Sequence, residues 1–232
     1  MIKYKIVADQ LTTNIKSGLY KELKLPTESE LIQEFDVGRT TIRNAINLLV
    51  DSGILYQIHG SGVYIREMDH DAIINTNAIR GISSEFSGHI TKTKLVEFKL
   101  LASDEVISKK LKISVGDPVY FIKRVRYVDN KPLTVEYSYY NKQVVHYLSS
   151  EIAEGSIYEY LENDLKLKLG FGDKYISADK LSEEDATYFE QEPGDPTLII
   201  NEKVYLSNGT LFNSSKVLHN YQTATLFSAA KN

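Results

Sequence analysis

One stretch, Leu25 to Ile65, constrains this chain more than any other: LPTESELIQEFDVGRTTIRNAINLLVDSGILYQIHGSGVYI. Pro26 keeps Leu25 out of the helical region, and Thr27 with Glu30 forms the T-x-x-E box that opens a helix. Leu31, Ile32 and Phe35 give that helix one apolar stripe, and Asp36-Val37-Gly38 breaks it. A second helix is predicted from Arg39 to Ser52, with Ile42, Ala45, Ile46 and Leu49 at i, i+3, i+4 and i+7. Its other face carries Thr40, Asn44 and Asn47, flanked by Thr41 and Arg43. Gly53 stops the helix, and Ile54–Gln57 and Gly62–Arg66 frame the turn His59-Gly60-Ser61-Gly62. Before this pair, residues 3–17 read as a bracing helix with Ile6, Val7, Leu11 and Ile15 inward and Gly18 at its end. The order predicts a winged helix-turn-helix over residues 1–66.

That surface suits double-stranded DNA. Arg39 and Arg43 can meet guanine edges or phosphates, and Thr40, Thr41 and Asn44 can reach base edges or phosphate oxygens. Gly60 and Gly62 let the wing backbone approach the sugar-phosphate chain, where Ser61 sits and His59 can donate. Tyr4 or Lys5 of the first helix would lie near the backbone. The competing reading is a three-helix interaction module with a merely solvated polar face. The full sequence of cap, turn, arginine-bearing helix and glycine-rich wing favours DNA.

Charge does not advertise this. The net charge is −4, and residues 1–66 hold eight Lys/Arg against seven Asp/Glu, so affinity must come from a few placed cations. The 232 residues favour two domains. With no cysteine there is no disulfide framework, thiolate metal site or thiol nucleophile. The start is an amphipathic helix rather than a signal peptide, and no apolar run approaches ~18 residues, so a cytoplasmic protein without a membrane partner is expected.

Glu67–Asn77 loses periodicity and reads as a linker, with residues 67–79 dividing the head from a second domain at 80–232. His70 between Asp69 and Asp71 reads as solvated linker rather than a metal site, and no cofactor is implied. Strands are predicted at Lys94–Ala102, Pro118–Val128, Leu133–Tyr140, Phe171–Leu181, Thr197–Leu206 and Thr210–Tyr221. Helices are predicted at Glu105–Leu111, Ser156–Leu167 and Ser182–Gln191, and Asn208-Gly209 as a type I′ hairpin turn. The fold class is α+β, a mainly antiparallel sheet with packed helices. Arg124 and Arg126, two apart on one strand, share a face that needs an anion or carboxylates. Glu136 and Ser138 join them only if the hairpin connection has an odd residue count, which the sequence leaves open.

Tyr4, Ile6, Ile15, Ser17-Gly18, LPTESEL, VGRTTIRNA and HGSGVYI together resemble the DNA-binding domain of the GntR family of bacterial transcription regulators. The resemblance implies that Arg39, Thr41, Arg43 and His59-Gly60 touch DNA, with Tyr4, Thr27 and Ser29 in the same surface. Ser29 stands where many members carry an arginine, and Gly38 replaces the usual serine cap. VYFIKRVRYVDNKPLTVEYSYY, GSIYEYLE and the Asn208-Gly209 hairpin resemble the UTRA effector domain of the HutC subfamily, which has a chorismate-lyase-like fold; YFIKRVRY and VEYSYYNK are similar to the trehalose-repressor type. This implies a pocket lined by Arg124, Arg126, Glu136, Ser156, Tyr158, Asn213 and His219, with Ser83 and Ser84 in a phosphate-holding loop. Asn213 replaces a carboxylate found in amino-sugar-phosphate binders. The expected function is a repressor, a homodimer on a palindromic operator, released by a small anion of the sugar-phosphate class. An enzyme and an effector-independent DNA-binding protein are the alternatives; the five histidines show no metal spacing and no Ser-His-Asp signature occurs.

Overall fold

The computed structural model describes residues 3–67, 73–77, 79, 81–86 and 88–230, and of Ile73, Ser83 and Ser84 the backbone alone. The chain divides into two compact units, residues 1–78 with 226–232, and residues 79–225. The expected boundaries differ from this at both ends of the second domain: residues 67–78, read as a linker, and the last residues, predicted within 80–232, group with the N-terminal unit.

In that unit α1 (Lys3–Lys16), α2 (Glu28–Phe35) and α3 (Arg39–Asp51) precede a hairpin of β1 (Leu55–Ile58) and β2 (Gly62–Ile65). Val7, Ala8 and Leu11 of α1 meet Leu31, Ile42, Ala45, Ile46, Leu49, Leu55 and Ile65 in one core. Ile6, expected inward, is 47% exposed. The buried face of α1 instead includes Ala8 and Thr12, which carry little hydrophobic signal of their own. The box at α2 forms as predicted: Thr27 N donates to Glu30 Oε2 (2.7 Å) and Glu30 N donates to Thr27 Oγ1 (3.3 Å). Gly38 caps α3 with no side-chain bond.

The linker is not structureless. β3 (Ile73–Asn75) pairs with a short C-terminal strand, β10 (Thr225–Phe227). Pattern could not reveal three residues whose partner lies far along the chain.

The second unit holds α4 (Ile82–Glu85), β4 (Thr91–Ala102), α5 (Glu105–Leu111), β5 (Pro118–Val128), β6 (Lys131–Asn141), α6 (Ser150–Glu154), α7 (Ile157–Asn163), β7 (Leu169–Lys180), α8 (Glu183–Phe189), β8 (Pro196–Leu206) and β9 (Leu211–Asn220). Six strands form one antiparallel sheet in the order β4-β5-β6-β9-β8-β7. One face packs Val125, Val135 and Leu218 against Ala186 and Phe189 of α8, and Val119 against Ile107 and Leu111 of α5. The other packs Tyr120, Ile122 and Tyr140 against Ala153 of α6 and Ile157 and Leu161 of α7. The helix predicted over 156–167 is shorter, because Ser156 caps α7 and Lys166 turns left-handed (φ 55°).

Two turns decide register. Asp129 and Asn130, both left-handed (φ 49° and 63°), form the two-residue connection between β5 and β6, with Val128 opposite Lys131. Asn208-Gly209 is not the predicted type I′ pair: only Gly209 has positive φ (82°), and Leu206 N donates to Thr210 O across a three-residue loop. The Asn208 carboxamide oxygen is engaged by Thr210 N (3.0 Å).

Candidate functional sites

On the head, the apolar stripe of α3 is consumed by the core, so Arg39, Thr40, Arg43, Asn44 and Asn47 are exposed and Thr41 half-buried. Arg43 Nε donates to both carboxylate oxygens of Glu28 on α2 (2.9 and 3.0 Å), an ion pair that aims the guanidinium while leaving its two Nη groups for a partner. Ser29 and Thr27 lie exposed at the start of α2, but the Thr27 hydroxyl is engaged with Glu30. Tyr4 packs half-buried against the head core.

In the wing His59, Gly60, Ser61 and Gly62 are exposed, and Gly60 takes φ 73° where a side chain would be strained. Ser61 Oγ lies 2.5 Å from the Tyr64 hydroxyl, and Tyr64 stacks on Tyr56. Lys24, which pattern reading missed, bridges to Tyr64 and holds its ammonium 5.3 Å from that ring. Its only sequence signal was a cation beside Leu25-Pro26.

In the second unit the open question of parity is answered. Arg124 lies directly opposite Glu136, and Arg126 opposite Thr134, so these side chains share one face. The two-residue turn alone would pair Arg124 with Val135 and send Glu136 to the other side. A register shift between Arg126 and Tyr127 opposes Tyr127 to Pro132, inserting one extra residue, Leu133, in β6 and bringing Glu136 round.

On this face Arg126, Thr134 and His219 stand in one row; Arg124, Glu136 and Val217 in the next; then Ser138, Ser215, Glu202 and Lys174; then Tyr140 and Asn213. Arg124 is committed: Nε donates to Glu136 Oε2 (2.8 Å) and Nη1 to Ala153 O at the end of α6 (2.9 Å). The Ser138 hydroxyl donates to Glu136 Oε1. Burial pushes Glu136 upward, but Arg124, Ser138 and Arg126 outweigh it and hold the carboxyl below its usual range. Burial, with Arg124 beside it, brings Arg126 down to about 10.

Glu202 is raised by burial despite Lys174 Nζ at 3.6 Å. Tyr158 is raised by burial and by the nearby Glu202, Tyr140 and Glu136. Burial lowers His219 to about 4, so it is neutral, with Nδ1 at 3.2 Å from Leu198 O. Thr134 Oγ1 and Asn213 Oδ1 are buried with no hydrogen-bond partner among the described residues. Ser156 caps α7, with its Oγ near the backbone of Gly81. The side chains of Ser83 and Ser84, and all of Arg80, lie outside the described residues. Thr134, Tyr140, Lys174, Glu202 and Ser215 were missed, because only the pairing register places them beside the arginines.

Comparison with known proteins joins the two halves. Residues 3–65 match the bacterial regulatory proteins of the gntR family, and residues 87–224 match the UTRA domain. The HTH-type transcriptional regulator YydK of Bacillus subtilis is 33% identical over 96% of this chain and 94% of its own length. The chain belongs to the GntR family. The crystal structure of YydK superposes on this GntR-family chain with a TM-score of 0.82 at 31% identity, covering 97% of this chain and 99% of that one. The mannosyl-D-glycerate transport/metabolism system repressor MngR of Escherichia coli is 30% identical over 92% of this chain and 89% of its own. This GntR-family protein is therefore a DNA-binding transcription regulator with a UTRA effector domain, and not an enzyme.

Proposed function

We propose that the protein is a cytoplasmic repressor that binds a palindromic operator as a homodimer and is released by a small anionic metabolite of the sugar-phosphate class. One observation carries the ligand reading. Among the described residues the face beside α6 and α7 sets three cations, Arg124, Arg126 and Lys174, against two carboxylates, Glu136 and Glu202, while His219 is neutral. A buried excess of positive charge is offset by an anion. Arg126, buried on the same face one row from Arg124, is a cation that would meet the anion. Thr134 and Asn213 offer polar atoms to hydroxyls.

The DNA reading rests on Arg39, Thr40, Arg43 and Asn44 along one exposed face of α3, with His59 to Gly62 and Lys24 at the wing. A two-fold dimer would place two such helices in successive major grooves, so the operator should consist of inverted half-sites. Relatives named as repressors support the direction of control.

A thermal-shift panel of sugar phosphates and small organic acids tests the ligand. A binder at 100 times its Kd adds about 2.7 kcal/mol of stability. The gain should vanish in Arg126→Met, and the same compound should release the protein from duplexes selected out of a random pool. Selected DNA without inverted half-sites, or DNA binding indifferent to every compound that binds, would overturn the reading.

A further inference from the structure

Two stretches of chain join the units, one before Ile79 and one after Thr225, and both enter the same two-stranded ribbon. Thr76 N and Thr76 Oγ1 both donate to Phe227 O at 2.9 Å. The Ser228 hydroxyl donates to Asn77 Oδ1 (3.1 Å), and Asn75 Nδ2 donates to Ser52 O at the end of α3. The tail then packs on Gly53, the residue that ends the recognition helix. Gly53 has φ 75°, and a Cβ there would lie 2.5 Å from Ala229 Cβ and 3.0 Å from Phe227 Cε1. Only glycine accommodates both the backbone and the tail.

At its other end the tail leaves β9 through a hydrogen-bonded turn. Between β9 and β10 lie four residues, and Thr223 N and Ala224 N both donate to Asn220 O (3.1 and 2.8 Å), Gln222 N to Asn220 Oδ1 (3.0 Å), and Thr223 Oγ1 to Pro132 O (3.3 Å). β9 is also the strand that carries Asn213, Ser215 and His219. The tail is thus a direct continuation of a strand of the sheet face that carries the arginines.

We propose that residues 225–229 are a second tether and that Phe227 is a positioning residue for DNA recognition: it ties the end of α3 to the linker and so sets how far apart two heads can stand. The inference rests on the dimer-on-palindrome reading above. A free polar linker the length of Glu67–Asn77 would spread its ends over roughly 15–20 Å. One base pair advances only about 3.4 Å, so a lone flexible linker would not distinguish neighbouring spacings. A ribbon held on two sides would.

The test is selection of duplex DNA from a random pool, followed by affinity against inverted half-sites with the spacer varied one base pair at a time. Four proteins are compared: the natural chain, Phe227→Ala, Phe227→Leu, and a chain stopped after Thr225. The natural chain and Phe227→Leu should prefer one spacing over its neighbours by roughly tenfold. Phe227→Ala and the shortened chain should choose the same half-site sequence, with the spacing preference falling below roughly threefold. Unchanged spacing preference in the shortened chain overturns the tether. Loss of half-site choice along with spacing also overturns it, since the tail would then be a piece of the head's own core. If the natural chain selects no inverted repeat, the palindrome reading itself has failed, an outcome that no tail variant can mimic.

Discussion

Arg124 and Arg126 stand two residues apart on one strand and differ in what they can do. Removing Arg124 strands Glu136 in a buried site, so Arg124→Ala should cost on the order of 3–5 kcal/mol and lower ligand and DNA binding together through instability. Arg126→Met should lower ligand affinity, read by the thermal shift of a bound compound, with a smaller loss of stability in urea unfolding than Arg124→Ala shows. Equal damage from both would mean that neither faces a ligand. His219 supplies a pH signature. Its pKa is about 4 in the fold against about 6.5 in the unfolded chain, so between these values the unfolded chain binds the extra proton. Stability is full above about pH 6.5 and falls toward pH 4, by on the order of 3 kcal/mol. Glu202, raised by burial, slopes the opposite way, losing stability as pH rises through its folded pKa. The difference between the natural chain and His219→Gln isolates the imidazole: urea midpoints at about pH 7.5 and 5 should separate less in the variant. On the head, Arg43→Ala should weaken binding to selected DNA by roughly tenfold or more, with ligand stabilisation unchanged.

Among the elements, α2 depends on its cap. Thr27→Ala removes the acceptor for Glu30 N and should lower head stability by about 1 kcal/mol, read by thermal unfolding. That box was legible because its whole signal lies within four residues. The same holds for α5, which begins and ends where its pattern predicts. The long strands β5 and β8 were legible from alternation and turn residues. What pattern could not reach depends on partners. The displaced register at Leu133 moves Glu136 across the sheet, and nothing local to Pro132 or Leu133 says which face it chooses. Lys174 and Glu202 sit on strands that were predicted, yet their place beside the arginines follows from the order β9-β8-β7. β3 is three residues long and exists only because β10 returns to it. Local chemistry therefore announced the surface expected at DNA, whereas long-range register assembled the face expected at the ligand.

At the scale of the whole molecule, the head is nearly neutral, with eight cations against seven carboxylates in residues 1–66. The logarithm of DNA affinity should fall with the logarithm of salt concentration at a slope matching only roughly three to five phosphates per head, measurable by fluorescence anisotropy. A much steeper slope would point to cations beyond Lys24, Arg39 and Arg43. Coupling is reciprocal, so operator DNA should weaken the metabolite by the factor that the metabolite weakens DNA. The return of residues 226–232 to the N-terminal unit has a further bearing on how such proteins can be recombined. Read along the chain, the sensing unit is an insert inside the DNA-binding unit rather than an appendage to it. A chimera that borrows its sensor from a relative therefore needs two splice points, near 78/79 and 225/226. Joined only at the first, it would give the head a linker of one parentage and a closing strand of another.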